Sequence, residues 1–287
     1  MQDDLTGEDV FSEIFLLRGN SDKTIIVVEG PSDLRTFELH VDEDQVELVV
    51  GHDRPRVQRA IDIVDKTEVP KVVGVVDSDL DRFFGADPDS LSANLIATEY
   101  YDLESDLFFW SDVADRVIRA YASVSSLRQK PDGCDANKPT DMIVKLCLVV
   151  GALRLISQLH SYNLMLRELP LGACIDRKIP SYRYTELAAL IKSKSKASVK
   201  SDSEIEILLT ACAASGWNDL RSCCGHDLIS ILTGALDVWW GNRVSKENVR
   251  NALRVAVDLS QFKKMKVGRL LAEWAAVNNA KVWRDSA

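Results

Sequence analysis

The sequence lacks the marks of three common classes. It has six cysteines, Cys134, Cys147, Cys174, Cys212, Cys223 and Cys224, but no CxxC pair and no spacing that resembles a disulfide framework. Cys212, Cys223, Cys224 and His226 do not form a regular zinc pattern, so the cysteines read as reduced, largely core thiols. No apolar stretch reads as long enough to cross a bilayer, and the acidic start Met1-Gln2-Asp3-Asp4 is unlike a secretion signal. A soluble, cytoplasmic protein with no membrane partner is the expectation. Positive charge is also scarce: 35 Lys and Arg stand against 44 Asp and Glu, a net −9, which argues against simple electrostatic binding of nucleic acid by the whole chain.

What is present is unevenly spread. The 287 residues, 46% hydrophobic, suffice for one large or two modest domains. Residues 1–110 carry 9 Lys and Arg against 26 Asp and Glu, a balance of −17. Residues 111–287 carry 26 against 18, a balance of +8. The division at 110 coincides with a change of pattern. Before it, 24–29, 46–50, 71–77 and 94–98 read as strands, alternating with helices over 32–40 and 55–66 and preceded by a packing helix within 1–20. After it the strand signal fades, and seven segments between 111 and 279 read as helices. The fold class expected is α/β: a small, Rossmann-like, doubly wound parallel sheet followed by a mostly α-helical domain.

The strands end in acid. Thr24-Ile25-Ile26-Val27-Val28 runs into Glu29-Gly30-Pro31-Ser32-Asp33, and Val72-Val73-Gly74-Val75-Val76 runs into Asp77-Ser78-Asp79. A third apolar stretch, 94–98, leads to Glu99, Asp102 and Glu104. Unbroken β-branched runs suit strands buried on both faces, and open parallel sheets gather their chemistry at the carboxyl ends of the strands. If the chain stays extended, Asp77 and Asp79 point the same way. Oxygen donors with room for water suit Mg²⁺ or Mn²⁺. Strand-end acids also serve as turn formers and helix caps, and for a single cluster that alternative stands.

The order Val28-Glu29-Gly30-xx-Asp33, then Asp77-Ser78-Asp79, then Tyr101-Asp102-Leu103-Glu104 resembles the TOPRIM domain over about residues 20–110. The longer context is similar to the TOPRIM nuclease subunit of PARIS-like anti-phage defence systems (AriB-like proteins), including Gly225-His226-Asp227-Leu228 in the helical half. Gly51-His52-Asp53-Arg54-Pro55-Arg56 departs from the lysine-containing loop of that group. The resemblance implies a Mg²⁺-dependent nuclease. Asp77 and Asp79 would bind metal, Glu29 would act as ligand or general base, and Asp81 or Glu104 would complete a second site. It also implies a toxic effector, restrained by an ABC-type ATPase partner, that cleaves RNA, with tRNA as the candidate RNA and DNA as the alternative target. A homodimer or an ATPase-docking surface is expected of the helical half.

Several features carry two readings. Lys246, Arg250 and Arg254 fall at i, i+4 and i+8, one basic stripe that either contacts phosphates or faces solvent. Arg54, Arg56 and the Lys192–Lys200 tract are the other basic candidates. Trp239, Trp240 and Trp274 are core residues or interface anchors. His226-Asp227 is a buried histidine beside a first-turn acid, or a proton-transfer pair. The rival to the nuclease reading is a non-catalytic interaction subunit with a structural or degenerate metal site.

Overall fold

The computed structural model describes residues 5–87, 90–122, 125, 127, 138–196 and 200–284. Four strands, β1 (Thr24–Val28), β2 (Val46–Val50), β3 (Val72–Val76) and β4 (Leu95–Ala97), form one parallel sheet in the order β2-β1-β3-β4. Every residue of β1 and β3 is buried, as the unbroken Val/Ile runs require of strands covered on both faces. The chain leaves β1 for β2 on one side and then returns past β1 to β3. The order therefore reverses between β1 and β3, where open α/β sheets form a crevice beyond the strand ends.

Helices α1 (Gly7–Asn20), α2 (Pro31–Glu38) and α3 (Arg54–Thr67) accompany the sheet. Val57, Ala60, Ile61 and Val64 of α3 are buried at the spacing of one helix face, and with Val10 and Ile14 of α1 they join Ile25, Val27, Val49 and Val72 in one core. The apolar content of α1 exceeds what is buried: Phe15 and Leu16 are 60% and 67% exposed. A glycine is obligatory at position 51, where a Cβ would stand 2.4 Å from Val57 Cγ2, so the chain turns from β2 against α3.

The chain divides into two compact units, Met1–Leu103 with Val257–Ala287, and Glu104–Ala256. The sequence boundary at 110 assigned 257–287 to the helical half; the structure packs these residues with the sheet. Thr24 Oγ1 donates to Lys281 O at 2.7 Å, Asp42 N to Val282 O at 2.9 Å, and Trp274 Nε1 to Asn94 Oδ1 at 2.8 Å. Phe262 lies edge-on to Phe37 and stacks on His40 with ring centroids 4.2 Å apart. With the boundary drawn there, the sheet unit holds 15 Lys and Arg against 27 Asp and Glu, −12, and the helical unit 20 against 17, +3. The charge asymmetry survives at about half its apparent size, because the basic tail belongs to the acidic unit.

The helical unit includes α4 (Leu103–Phe109, whose first residue belongs to the sheet unit), α5 (Val113–Tyr121) and helices over Pro139–Leu159, Tyr184–Lys194, Asp202–Ala214, Gly225–Val238 and Lys246–Val255. Helix α4 is absent from the sequence reading; it begins directly after the third acidic strand end. The single helix expected over 245–260 is two, Lys246–Val255 and the short Leu259–Phe262, with Asp258 capping the second. The helix Pro139–Leu159 corrects another expectation. It is long and apolar enough to span a membrane, with a mean hydropathy of 1.9. Ile143, Leu146, Val150 and Leu153 are almost fully buried, the placement of a core helix. Trp239, Trp240 and Trp274 are each at most 7% exposed, and Trp239 Nε1 donates to Asp176 O, so all three are core residues. Cys147, Cys174, Cys212 and Cys223 are buried and Cys224 half-buried, all as free thiols; Cys134 lies outside the described residues.

Candidate metal centre

Val28 of β1 pairs with Val75 of β3, so Glu29 and Asp77 leave adjacent strands within one residue of the same level. Their contact is direct: Asp77 N donates to Glu29 Oε1 at 2.7 Å. Gly30 and Pro31 begin α2, and Asp33 caps that start by accepting from Gly30 N at 2.9 Å, which keeps a third carboxylate beside the first. The Asp77–Asp79 turn is fixed from the other side. Ser78 is buried and donates through both N and Oγ to Thr98, at Oγ1 and O respectively, and Asp79 N donates to Tyr101 O at 2.8 Å.

The electrostatics describe one crowded site. Burial pushes Glu29 up to about 8; the charges of Asp79 and Asp33 add to this, while the Asp77 N–H bond and Arg54 oppose it. Asp77 is held well above the ordinary carboxylate range, first by burial and then by Asp33, Glu29, Asp102 and Asp79. Five carboxylates thus repel one another across the ends of β1, β3 and β4. Asp79 adopts a left-handed backbone with φ of 46°, so the chain is not extended through 77–79 and the alternation expected from a strand does not apply there. A carboxylate is among the side chains that tolerate this conformation, because it bonds locally.

Arg54 is the counter-ion. It forms an ion pair with Asp81 and lies 3.8 Å from Asp79. The loop that departs from the expected lysine pattern therefore delivers an arginine to the acid cluster: Asp53 caps α3 by accepting from Arg56 N, which leaves Arg54 in the first turn. Arg56 itself pairs with Asp53 at 3.3 Å.

The other sequence candidates go elsewhere. Glu104 belongs to the helical unit. Its Oε1 accepts from Arg250 Nε at 2.5 Å and its Oε2 lies 3.5 Å from His226 Nδ1. Arg250 also pairs with Glu247 at 2.7 Å, and Arg254, 3% exposed, bonds Asn251 at 2.8 Å. The stripe at i, i+4 and i+8 thus turns progressively inward, and only Lys246 is exposed. His226 is not buried; Asp227 is, in an ion pair with Arg154 at 2.5 Å. Within the Lys192–Lys200 tract, 197–199 lie outside the described residues, and Lys200 sits 4.3 Å over the Tyr162 ring.

Sequence reasoning named Glu29, Asp77 and Asp79 as the core of the site but did not commit Asp33 or Asp102 to it. Asp33 was visible as a capping residue four positions after Glu29. Asp102 was visible as an acid following the stretch 94–98, and the fold brings its charge to bear on Asp77. All five side chains offer hard oxygen donors, the kind that a divalent cation such as Mg²⁺ or Mn²⁺ takes. No protein-family model matches this chain, and no curated protein is similar to it.

Proposed function

We propose that the sheet unit is the catalytic unit of a Mg²⁺- or Mn²⁺-dependent nuclease of the TOPRIM kind. The observation that carries this reading is the Glu29–Asp77 hydrogen bond at the switch point of the sheet, with the charges of Asp33 and Asp79 raising both buried acids and that of Asp102 raising Asp77. Glu29, Asp77 and Asp79 would hold the cation, with Asp33 and Asp102 completing the negative field. Bound there, the ion would supply charge neutralisation at a phosphodiester and a bound water of lowered pKa. In the alternative role, as general base rather than ligand, Glu29 would take or return a proton. Arg54 restrains Asp79 and Asp81 and keeps a positive charge beside the cluster.

The wider function follows the same resemblance: a cytoplasmic toxic effector of an anti-phage system that cleaves RNA, tRNA included, or DNA after release from an ABC-type ATPase, and that works as a homodimer. A second reading has its own support. Arg54 already compensates part of the cluster, and two members of the basic stripe are engaged internally, as suits an interaction subunit with a structural metal site. Digestion of tRNA and plasmid DNA by the purified chain with Mg²⁺ or Mn²⁺ tests the two. Metal-dependent cleavage that Glu29→Gln abolishes supports the nuclease. Metal binding by calorimetry with both substrates left intact supports the interaction subunit.

A further inference from the structure

A second charged feature lies wholly within the helical unit and is opposite in sign. A cavity of about 370 Å³ is bounded by the single turn Leu171–Cys174, the loop that follows it, the helix Gly225–Val238 and the start of Lys246–Val255. Four cations line it, Arg177, Arg183, Arg243 and Lys246, against the lining carboxylate Asp237 and Glu186, which pairs with Arg183, a local balance of +2. Arg177 and Lys246 are exposed, and Arg243 is 90% exposed with Asp237 3.9 Å away.

The walls are preorganised. A Cβ on Gly234 would stand 2.2 Å from Gly172 Cα, so helix and turn meet backbone to backbone at two residues that line the cavity. The loop carrying Arg177 is pinned by Trp239 Nε1 donating to Asp176 O at 2.8 Å and by the antiparallel bridge between Ile175 and Tyr182. Arg183 is anchored by its bond to Ala173 O and by Glu186 at 2.8 Å. Such a framework holds its cations in place before a ligand arrives, which lowers the ordering cost of binding.

We propose that this cavity binds a phosphate-bearing ligand of nucleotide size, with the phosphates among Arg177, Arg183, Arg243 and Lys246 and the uncharged body against Ile175, Val238 and Val244. The volume falls at the lower end of small-molecule sites, enough for one nucleotide and too small for a duplex. The net positive charge complements a phosphate group, and arginine forks are suited to phosphate oxygens. The ligand source is either a free nucleotide or the phosphorylated end of a single strand. The site stands independently of the metal centre.

Isothermal titration calorimetry in EDTA, which keeps metal out of the acidic site, tests the proposal with ATP, adenosine and a 5′-phosphorylated dodecanucleotide. ATP or the oligonucleotide should bind below about 1 mM, and adenosine at least roughly tenfold more weakly. Arg177→Glu with Lys246→Glu should weaken the phosphate-bearing probe by more than roughly tenfold at an unchanged Tm, since both residues are exposed; Arg243→Ala should weaken it in the same direction if the double variant loses its fold. Binding of ATP alone identifies a free nucleotide, and preference for the oligonucleotide identifies a strand end. The absence of binding by both probes, or equal binding by the variants, overturns the proposal.

Discussion

The two units bury titratable groups in opposite ways. The sheet unit buries Glu29 and Asp77 beside other carboxylates, so that burial first and neighbouring negative charge second drive both toward their protonated forms. The helical unit buries Asp227 with Arg154 in direct contact, pairs Glu104 with Arg250, and carries an excess of cations around an open cavity. A structure that only needed stability would follow the second course throughout, since an unrelieved cluster of like charge costs folding free energy. The acid cluster at the strand ends is thus where the proposed cation would act, and the pairs in the helical unit read as architecture.

Breaking the acid cluster should have the largest effect. Glu29→Gln or Asp77→Asn should lower metal-dependent cleavage by at least roughly a hundredfold, as expected for removal of a charge-stabilising group. The fold should persist, because the glutamine keeps an oxygen to accept from Asp77 N. Single-turnover assays beside circular dichroism check this; full activity in both variants would refute the assignment. The contrast with the helical unit sharpens if Lys246→Ala leaves metal affinity unchanged.

The counterpart in the helical unit is a stability effect. Arg154→Leu strands Asp227 in the core and should cost on the order of 3–5 kcal/mol. Restoring an apolar match with Asp227→Leu in the same chain should recover much of that loss, which chemical denaturation of the two variants would reveal. If the single variant is as stable as wild type, Asp227 is not held as an ion pair.

Metal should act on the sheet unit in a pH-dependent way. Glu29 has a folded pKa of about 8, above the ordinary value, so the folded chain holds a proton that the unfolded chain releases. Stability from this group is present below the ordinary carboxylate pKa and is lost as pH rises through about 8. The metal-free protein should therefore lose Tm between pH 5 and pH 8, and Glu29→Gln should flatten that slope. Saturating Mg²⁺ at pH 8 should restore stability, by about 2.7 kcal/mol when its concentration is a hundred times Kd. A Tm indifferent to both pH and metal would place the repulsion elsewhere.

Much of the sheet unit was legible because its signals are local. Four β-branched runs, their acidic ends and the apolar face of α3 lie within short windows, and each window forms the element it suggests. What escaped depends on distant contacts. Nothing in 257–287 announces that Phe262 stacks on His40 or that Val282 accepts from Asp42. The spacing of Lys246, Arg250 and Arg254 gave one face correctly but not its direction, which Glu104 and Glu247 determine by drawing two of the three inward. Arg177 and Arg183 sit in irregular chain with no periodicity, so their convergence with Arg243 and Lys246 is visible only in the fold. Asp79 was misdirected because a strand rule was extended one turn past the strand.

The smallest effect contrasts two buried groups without a metal. Where Asp227 has Arg154, His40 has no hydrogen-bond partner on either ring nitrogen among the described residues, and it packs between Phe262 and the C-terminal segment. Burial holds its pKa down to about 4, with the Arg284 charge adding to this and Asp258 opposing it. The folded pKa lies below the ordinary histidine value of about 6.5, so the unfolded chain takes the proton first. Stability is therefore full above about 6.5 and is lost as pH falls toward 4. This loss runs opposite to the Glu29 slope and should appear as a fall of a few degrees in Tm on the acid side. His40→Phe, similar in shape and unable to protonate, should remove the acid-side fall without changing metal affinity. An acid-side fall of the same size in that variant would show that His40 is not its source.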